Sequence, residues 1–198
     1  MKKTLPMIIF SALFFFAMTA FSEDWQDFLN DSLKQRPSER KRKTSSGKRL
    51  LIEKKSRISR IDADVPFLIR QGNYSGAENL LKESLRLTVE LYQINDLHVT
   101  ERLSSLGLLY MEAGRPADAV DAFLWALRIG EPIAGKDSYE LSNLYRFLSV
   151  AYYQEARYDE AEHFAGILLG IYLNKFGEDS PEVSEVKELL KKIYRETG

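Results

Sequence analysis

At residues 114–123 the sequence reads GRPADAVDAF, with a glycine, two acids and several small residues ahead of a phenylalanine. Similar stretches begin 42 residues earlier, GNYSGAENLL, and 42 residues later, ARYDEAEHFA. The alanine inside each stretch keeps the same step: Ala77, Ala119 and Ala161. A recurrence of about 20 to 50 residues is typical of a repeat array. The sequence therefore predicts stacked copies of one structural unit rather than a single globular core.

The first residues contain an apolar run, Leu5 to Phe21, which follows two lysines and precedes small and acidic residues. Ala20-Phe21-Ser22 supplies small residues where a signal peptidase needs them, and the run of 17 residues is shorter than the roughly 20 of a membrane span. We therefore expect residues 1–22 to be a cleaved signal peptide and the protein to be exported, either periplasmic or secreted. The alternative is an apolar segment that is retained as a membrane anchor.

Charge is unevenly distributed along the chain. Twelve Lys and Arg oppose two acids in residues 34–60, which gives +10, whereas 14 oppose 23 acids in residues 61–198, which gives −9. Blocks of like charge without apolar residues favour disorder, so residues 23–57 are predicted to form a disordered linker. This linker is either a spacer or a contact with an anionic surface of lipid or cell-wall polymer. In the second case the alternative function is a surface-tethering protein, in which the repeats only space the linker from other parts. Because the chain is expected to be exported, we expect no nucleic-acid partner.

Two residue types that are common in catalytic and metal sites, cysteine and histidine, are absent or scarce. The sequence has no Cys, and its two histidines, His98 and His163, are 65 residues apart. A zinc site needs about three or four suitably spaced ligands, and a phosphate loop needs a glycine-rich motif; neither pattern occurs. We therefore expect no catalytic residues, no metal and no cofactor.

Apolar residues within each unit recur at three-to-four spacing, which predicts helices. Helix-capping residues recur with the same 42-residue step: Asp96, Ser138 and Ser180 as N-caps, and Gly135 and Gly177 as left-handed C-caps. The units are predicted to be helix pairs over about 58–99, 100–141 and 142–183, followed by a terminal helix at 184–198. The first helix of the first pair is expected to be kinked or to begin late, because Pro66 lies inside it.

The second unit resembles the tetratricopeptide repeat at Leu106-Gly107, Tyr110, Gly114, Ala119, Phe123 and Ala126. The third unit matches at Leu148, Tyr152, Ala161 and Leu168, with Ser149 for the glycine and Ala165 for the aromatic residue. The 42-residue length is similar to the kinesin light chain variety. The resemblance implies an all-α, right-handed α-solenoid of antiparallel helix pairs with a capping C-terminal helix. It also implies a non-catalytic adaptor or scaffold that binds a protein or peptide partner.

Family groove positions fall on the first helix of each pair. In the second unit they are Ser104, Leu108, Met111 and Glu112, flanked by Glu101 and Ser105; in the third they are Asn143, Arg146, Phe147, Val150, Tyr153 and Gln154. The alternative is that several of these side chains pack between neighbouring units. Ser104 and Leu108 replace the Lys and Asn with which chaperone-binding relatives clamp a C-terminal carboxylate, so that partner is not implied.

Trp125 is unusual because it lies on a second helix between two core positions, Phe123 and Ala126. One interpretation is a convex apolar patch for a second copy of the chain or another protein. The other is that Trp125 packs beneath the lengthened loop between repeats.

Overall fold

The computed structural model describes residues 23–35, 38 and 44–197. This part of the chain forms eight α-helices and one 3-10 turn, Tyr139–Leu141. The helices are α1 Glu23–Lys34, α2 Ser45–Arg70, α3 Tyr74–Leu91, α4 Leu97–Glu112, α5 Pro116–Ala134, α6 Ser142–Gln154, α7 Tyr158–Phe176 and α8 Pro181–Thr197. The predicted all-α architecture is confirmed. The predicted signal peptide, residues 1–22, lies outside the described residues.

Consecutive helices pack against each other from α2 to α8, so the chain forms three hairpins, α2–α3, α4–α5 and α6–α7, with α8 on α7. The repeat step is visible in the element bounds, since α5 and α7 begin 42 residues apart and also end 42 residues apart. One continuous core runs through all three hairpins, as expected when each unit buries its apolar surface against its neighbours.

Small residues allow the two helices of a hairpin to approach closely. Ala119 and Ala161 are fully buried, and a Cβ atom on Gly107 would lie only 2.6 Å from Cδ1 of Phe123. Ser149 takes the place of that glycine in the third hairpin, where its Oγ donates a hydrogen bond of 2.8 Å to the carbonyl of Ala161. The recurring small residues of the sequence are therefore helix-to-helix contacts.

The turn inside each hairpin has the same backbone geometry. Gly72, Gly114 and Ala156 have φ of 72°, 69° and 55°, respectively. After α4, the amide of Gly114 donates to the carbonyl of Met111 at 3.1 Å and that of Arg115 donates to Tyr110 at 2.8 Å. This pair of bonds satisfies the last carbonyls of the helix in a Schellman arrangement, which needs a left-handed residue.

The predicted N-caps between hairpins are confirmed at two positions and wrong at a third. Asp96 accepts from the amide of His98 at 2.9 Å, and Ser180 accepts from that of Val183 at 3.3 Å. Ser138 makes no such bond, because the chain enters a 3-10 turn there and α6 begins only at Ser142. Gly135 and Gly177 have positive φ, 91° and 84°, but their ψ values of 144° and 169° are extended, so the predicted left-handed helical C-caps are wrong.

The first helix of the first hairpin, α2, does not begin late, so that part of the prediction is wrong. It runs for 26 residues and includes Pro66. Thr44 caps its first turn by accepting from the amide of Gly47 at 3.0 Å, and Ile61 and Val65 bury its inner side in the core. Packing along this length therefore outweighs the hydrogen bond that the proline cannot donate.

The predicted disordered linker at residues 23–57 is wrong for its two described helical parts, α1 and the beginning of α2. In α1, Trp25, Phe28, Leu29 and Leu33 recur at helical spacing and pack against the core, and the helix contacts α3. In α2, Lys54 pairs with the buried Glu90 of α3. Because these contacts join residues far apart in sequence, the charge block alone could not indicate them.

Candidate partner-binding face

The ten predicted groove residues lie on one side of α4 and α6, and none of them is buried. The intervening positions of the same helices are buried: Leu103, Leu106, Gly107, Leu109 and Tyr110 in α4, and Leu144, Tyr145, Leu148, Ser149, Ala151 and Tyr152 in α6. We call the ten residues the first-helix face. Helical periodicity separates this accessible face from the core side.

On α4, the first-helix face combines apolar and polar groups. Leu108 is 41% exposed, which is high for a leucine, whereas Met111 is half-buried and packs against the core. Ser104 donates its hydroxyl to the carbonyl of Thr100 at 2.7 Å, and Glu112 is exposed beyond it. Leu108 is therefore the apolar side chain that this helix offers to a partner.

On α6, the first-helix face centres on Arg146 and Phe147. The Nη2 of Arg146 donates to Oδ1 of Asn143 at 3.3 Å, and its guanidinium lies 5.6 Å from the centroid of the Phe147 ring. Phe147 in turn stacks on Phe123 of α5, with centroids 5.3 Å apart. The exposed Arg146 thus rests on an aromatic ring that is itself anchored in the preceding hairpin.

Tyr153 has a structural contact in addition to its place on the face. Its hydroxyl donates to Oε1 of Glu196 in α8 at 3.4 Å, and its ring centroid lies 5.7 Å from that of Tyr158. The side chain therefore helps to hold α8 on the third hairpin. Removing it would alter the docking of α8 as well as the face.

The face continues onto α8. Glu185, Glu188, Leu189 and Lys192 lie 42 residues after Asn143, Arg146, Phe147 and Val150, so they occupy the same helical positions. Together with Pro181 and Ser184 they line an open depression of about 490 Å³. A partner bound on α4 and α6 would meet this depression next.

A junction between the first two repeats was missed from the sequence. Tyr110 donates its hydroxyl to Oε1 of Glu78 at 3.1 Å, and Arg115 donates to Oε2 of Glu78 at 2.8 Å. Burial raises the pKa of Glu78, but the hydrogen bonds from Lys82 and Arg115 outweigh it and leave that pKa below its usual value. Val120 stands at the corresponding position of the second repeat, but Glu162 stands there in the third and accepts from the hydroxyl of Tyr194 at 2.9 Å. A Glu–Tyr pair 32 residues apart therefore marks this contact in two of the repeats.

Several titratable groups of the described residues, including one of the two histidines, are engaged in structural contacts. His98 stacks on Tyr92 with centroids 4.0 Å apart and bonds to Asp96 at 2.6 Å. The acids at the start of α5 and α7 bond to their own arginines, Asp118 to Arg115 at 2.6 Å and Glu160 to Arg157 at 3.0 Å. Within residues 23–35, 38 and 44–197, three or more potential metal ligands do not cluster.

Trp125 is only 4% exposed, and the guanidinium of Arg128 lies 4.9 Å from its ring centroid. The interpretation of Trp125 as an exposed convex patch is therefore wrong. Its position between Phe123 and Ala126 could not show this, because burial of a second-helix side chain depends on what lies over it.

Among the helices of the described ranges, none is long and apolar enough to cross a membrane.

Comparison with known proteins identifies the repeat. Residues 103–166 match one model of the tetratricopeptide repeat, and residues 67–97 match another. No curated protein matches the sequence. The fold is similar to the crystal structure of BtubC (BKLC) from P. vanneervenii, with a TM-score of 0.66 and 23% identity over 85% of this chain. The match spans 66% of that protein's length, and at this identity it concerns the fold alone. Over these two segments, the sequence is therefore similar to tetratricopeptide repeats.

Proposed function

We propose that the protein is an exported, non-catalytic adaptor that binds a protein or peptide partner on the first-helix face. The observation that carries this proposal is the exposure of Leu108 on α4 and of Arg146 on α6, on a face where no position is buried. Tetratricopeptide repeats typically mediate protein interactions, which supports the same conclusion.

The first-helix face offers both apolar contacts and a charged hydrogen-bond donor to a partner. Leu108, Phe147 and Val150 offer apolar contact, and the guanidinium of Arg146 can donate to a carboxylate or to a backbone carbonyl. An extended or helical peptide with apolar side chains and an acidic group fits this combination. Arginine and aromatic side chains are the residue types that dominate many interface energies.

Site-specific photocrosslinking tests the location of the partner. A benzophenone amino acid replaces Leu108 in one variant and Gly166 in a second, which is exposed on α7 with open space around it. After irradiation of intact cells, we expect a crosslinked partner, identified by mass spectrometry, from position 108 and none from position 166. Equal crosslinking at the two positions would contradict a site on the first-helix face.

The same partner then provides a binding assay. Arg146→Ala is expected to weaken binding by about 2 kcal/mol or more if the arginine is a hot spot. Arg128→Ala, an exposed arginine on the second helix α5, is the matched control and should leave binding unchanged. Tyr153 is left intact, because its hydroxyl also contacts Glu196 of α8.

Export is a separate part of the proposal. It is supported by the apolar run Leu5 to Phe21 and the small residues that follow it. N-terminal sequencing of the protein from an envelope fraction should give a chain that begins near Glu23. Recovery of a chain that begins at Met1 would contradict the proposed cleavage.

A further inference from the structure

The beginning of α2 presents a strongly basic face to solvent. Five residues near the start of this helix make up what we call the basic face: Lys48, Arg49, Ile52, Lys55 and Arg60. All five are exposed, and Ile52 at 68% is the most exposed large hydrophobic side chain of the described residues. A helix face that contacts only water has no need of an exposed isoleucine among four cations.

Cations on the inner side of the same helix have structural partners. Lys54 pairs with Glu90, and Arg57 forms two hydrogen bonds of 2.8 and 2.7 Å with Glu83. These carboxylates hold the inner side on α3. The cations of α2 thus divide into a structural set and an outward set.

The outward set is not neutralised in the same way. Arg49 pairs with Glu53, but these side chains are 85% and 59% exposed, so the pair is weak. No ion pair of the described residues uses Lys48, Lys55 or Arg60; Lys55 lies 5.9 Å from the ring centroid of Tyr92, and Arg60 bonds to its own helix backbone. Their charge is available to an external anion.

We propose that the basic face binds an anionic lipid bilayer, with α2 parallel to the surface and Ile52 entering the headgroup region. From Lys48 to Arg60 the helix is about 18 Å long, so the four cations can reach several headgroups at once. Clustered Lys and Arg are attracted to acidic headgroups, and an apolar side chain at the centre of the cluster adds burial that a purely ionic partner would not supply.

The sequence supports the same surface. Residues 34–60 carry a net charge of +10, and residues 61–198 carry −9. A negatively charged membrane would therefore attract the α2 end of the molecule and repel the remainder.

A local probe tests the proposal independently of the apolar segment at residues 5–21. Because the chain has no Cys, Ile52→Cys allows a polarity-sensitive fluorophore to be attached at that position only. We expect a blue shift of its emission with vesicles that contain phosphatidylglycerol, and none with phosphatidylcholine vesicles or with inorganic phosphate. The same fluorophore attached to Gly166→Cys, an exposed position of α7, should show no shift of its emission.

Charge variants identify the cations responsible. Lys48→Gln, Lys55→Gln and Arg60→Gln together should weaken the vesicle response by about 100-fold, since each cation near an anionic surface contributes a factor of about five. The matched control removes the same charge from α8 with Lys187→Gln, Lys191→Gln and Lys192→Gln and should retain the response. Circular dichroism checks that both variants fold.

Three results would overturn the proposal. The first is no shift at position 52 with anionic vesicles. The second is an equal loss in both triple variants, which would indicate a response to net charge rather than to this face. The third is a shift with a short DNA duplex that vesicles cannot displace, which would assign the face to nucleic acid.

Discussion

At the scale of single residues, the second and third repeats exchange size between two contacting positions. Gly107 faces Phe123 so closely that an added Cβ atom would lie 2.6 Å from Cδ1 and 2.7 Å from Cζ of the ring. Forty-two residues later the pair is Ser149 and Ala165, both fully buried. The second repeat thus pairs a glycine with a phenylalanine, whereas the third repeat pairs the larger serine with the smaller alanine.

This exchange predicts a strong energetic coupling between Gly107 and Phe123. Gly107→Ser alone should destabilise the fold by about 1 to 3 kcal/mol through overpacking, and Phe123→Ala alone by about 3 to 5 kcal/mol through a cavity. In the double variant the hydroxymethyl group fills part of the cavity, so the loss should be at least about 1 kcal/mol smaller than the sum. Urea unfolding measures all three free energies. If the two losses simply add in the double variant, the compensation is disproved. As a control, Gly166→Ser should change the free energy of unfolding by less than about 0.5 kcal/mol, because a Cβ atom there would meet nothing within 4 Å.

At the scale of the elements, the three hairpin turns share one geometry but not one residue type. Ala156 has a φ of 55° where the other two repeats use Gly72 and Gly114. An L-residue with a side chain pays about 1 kcal/mol or more for this left-handed conformation, and glycine does not. The third hairpin therefore carries local strain that the first two lack.

The turn geometry predicts opposite effects for two reciprocal substitutions. Ala156→Gly should stabilise the protein by about 0.5 kcal/mol, because the relief of strain exceeds the added freedom of glycine in the unfolded chain. Gly114→Ala should destabilise it by about 1 kcal/mol, although a Cβ atom there would meet nothing within 4 Å. Thermal unfolding of the two variants provides the comparison. A gain in stability from Gly114→Ala would refute the strain.

The helix pairs could be predicted from sequence because their determinants are local and periodic. Small residues, turn glycines and two of the three N-caps recur every 42 residues, and Ala119 and Asp96 lie where that register requires. The helical start of α2 could not be predicted, because its inner cations pair with carboxylates such as Glu90, 36 residues away. The first-helix face followed from the same register, whereas the burial of Trp125 did not.

At the scale of the whole molecule, the described chain is an array in which each helix is supported mainly by its neighbours. α1 joins this array out of sequence order, because it packs on α3 through the fully buried Leu29. A 12-residue helix is too short to be stable alone in water. Its helicity therefore depends on docking, and the stability of the first hairpin depends in part on α1.

A single substitution should separate α1 from the array without unfolding the rest. Leu29→Asp places a charge in the buried contact, so we expect rapid amide hydrogen exchange in α1 and faster exchange in α3. Helices α6 and α7 should be unchanged, because stability in repeat arrays is transmitted chiefly between neighbouring units. Asn30→Asp adds the same charge on the exposed side of α1 and should leave exchange in both helices as in the wild type. Hydrogen exchange with mass spectrometry resolves these segments. Equal acceleration in all helices of Leu29→Asp would mean that the molecule unfolds as one cooperative unit, and the nearest-neighbour description would then be wrong.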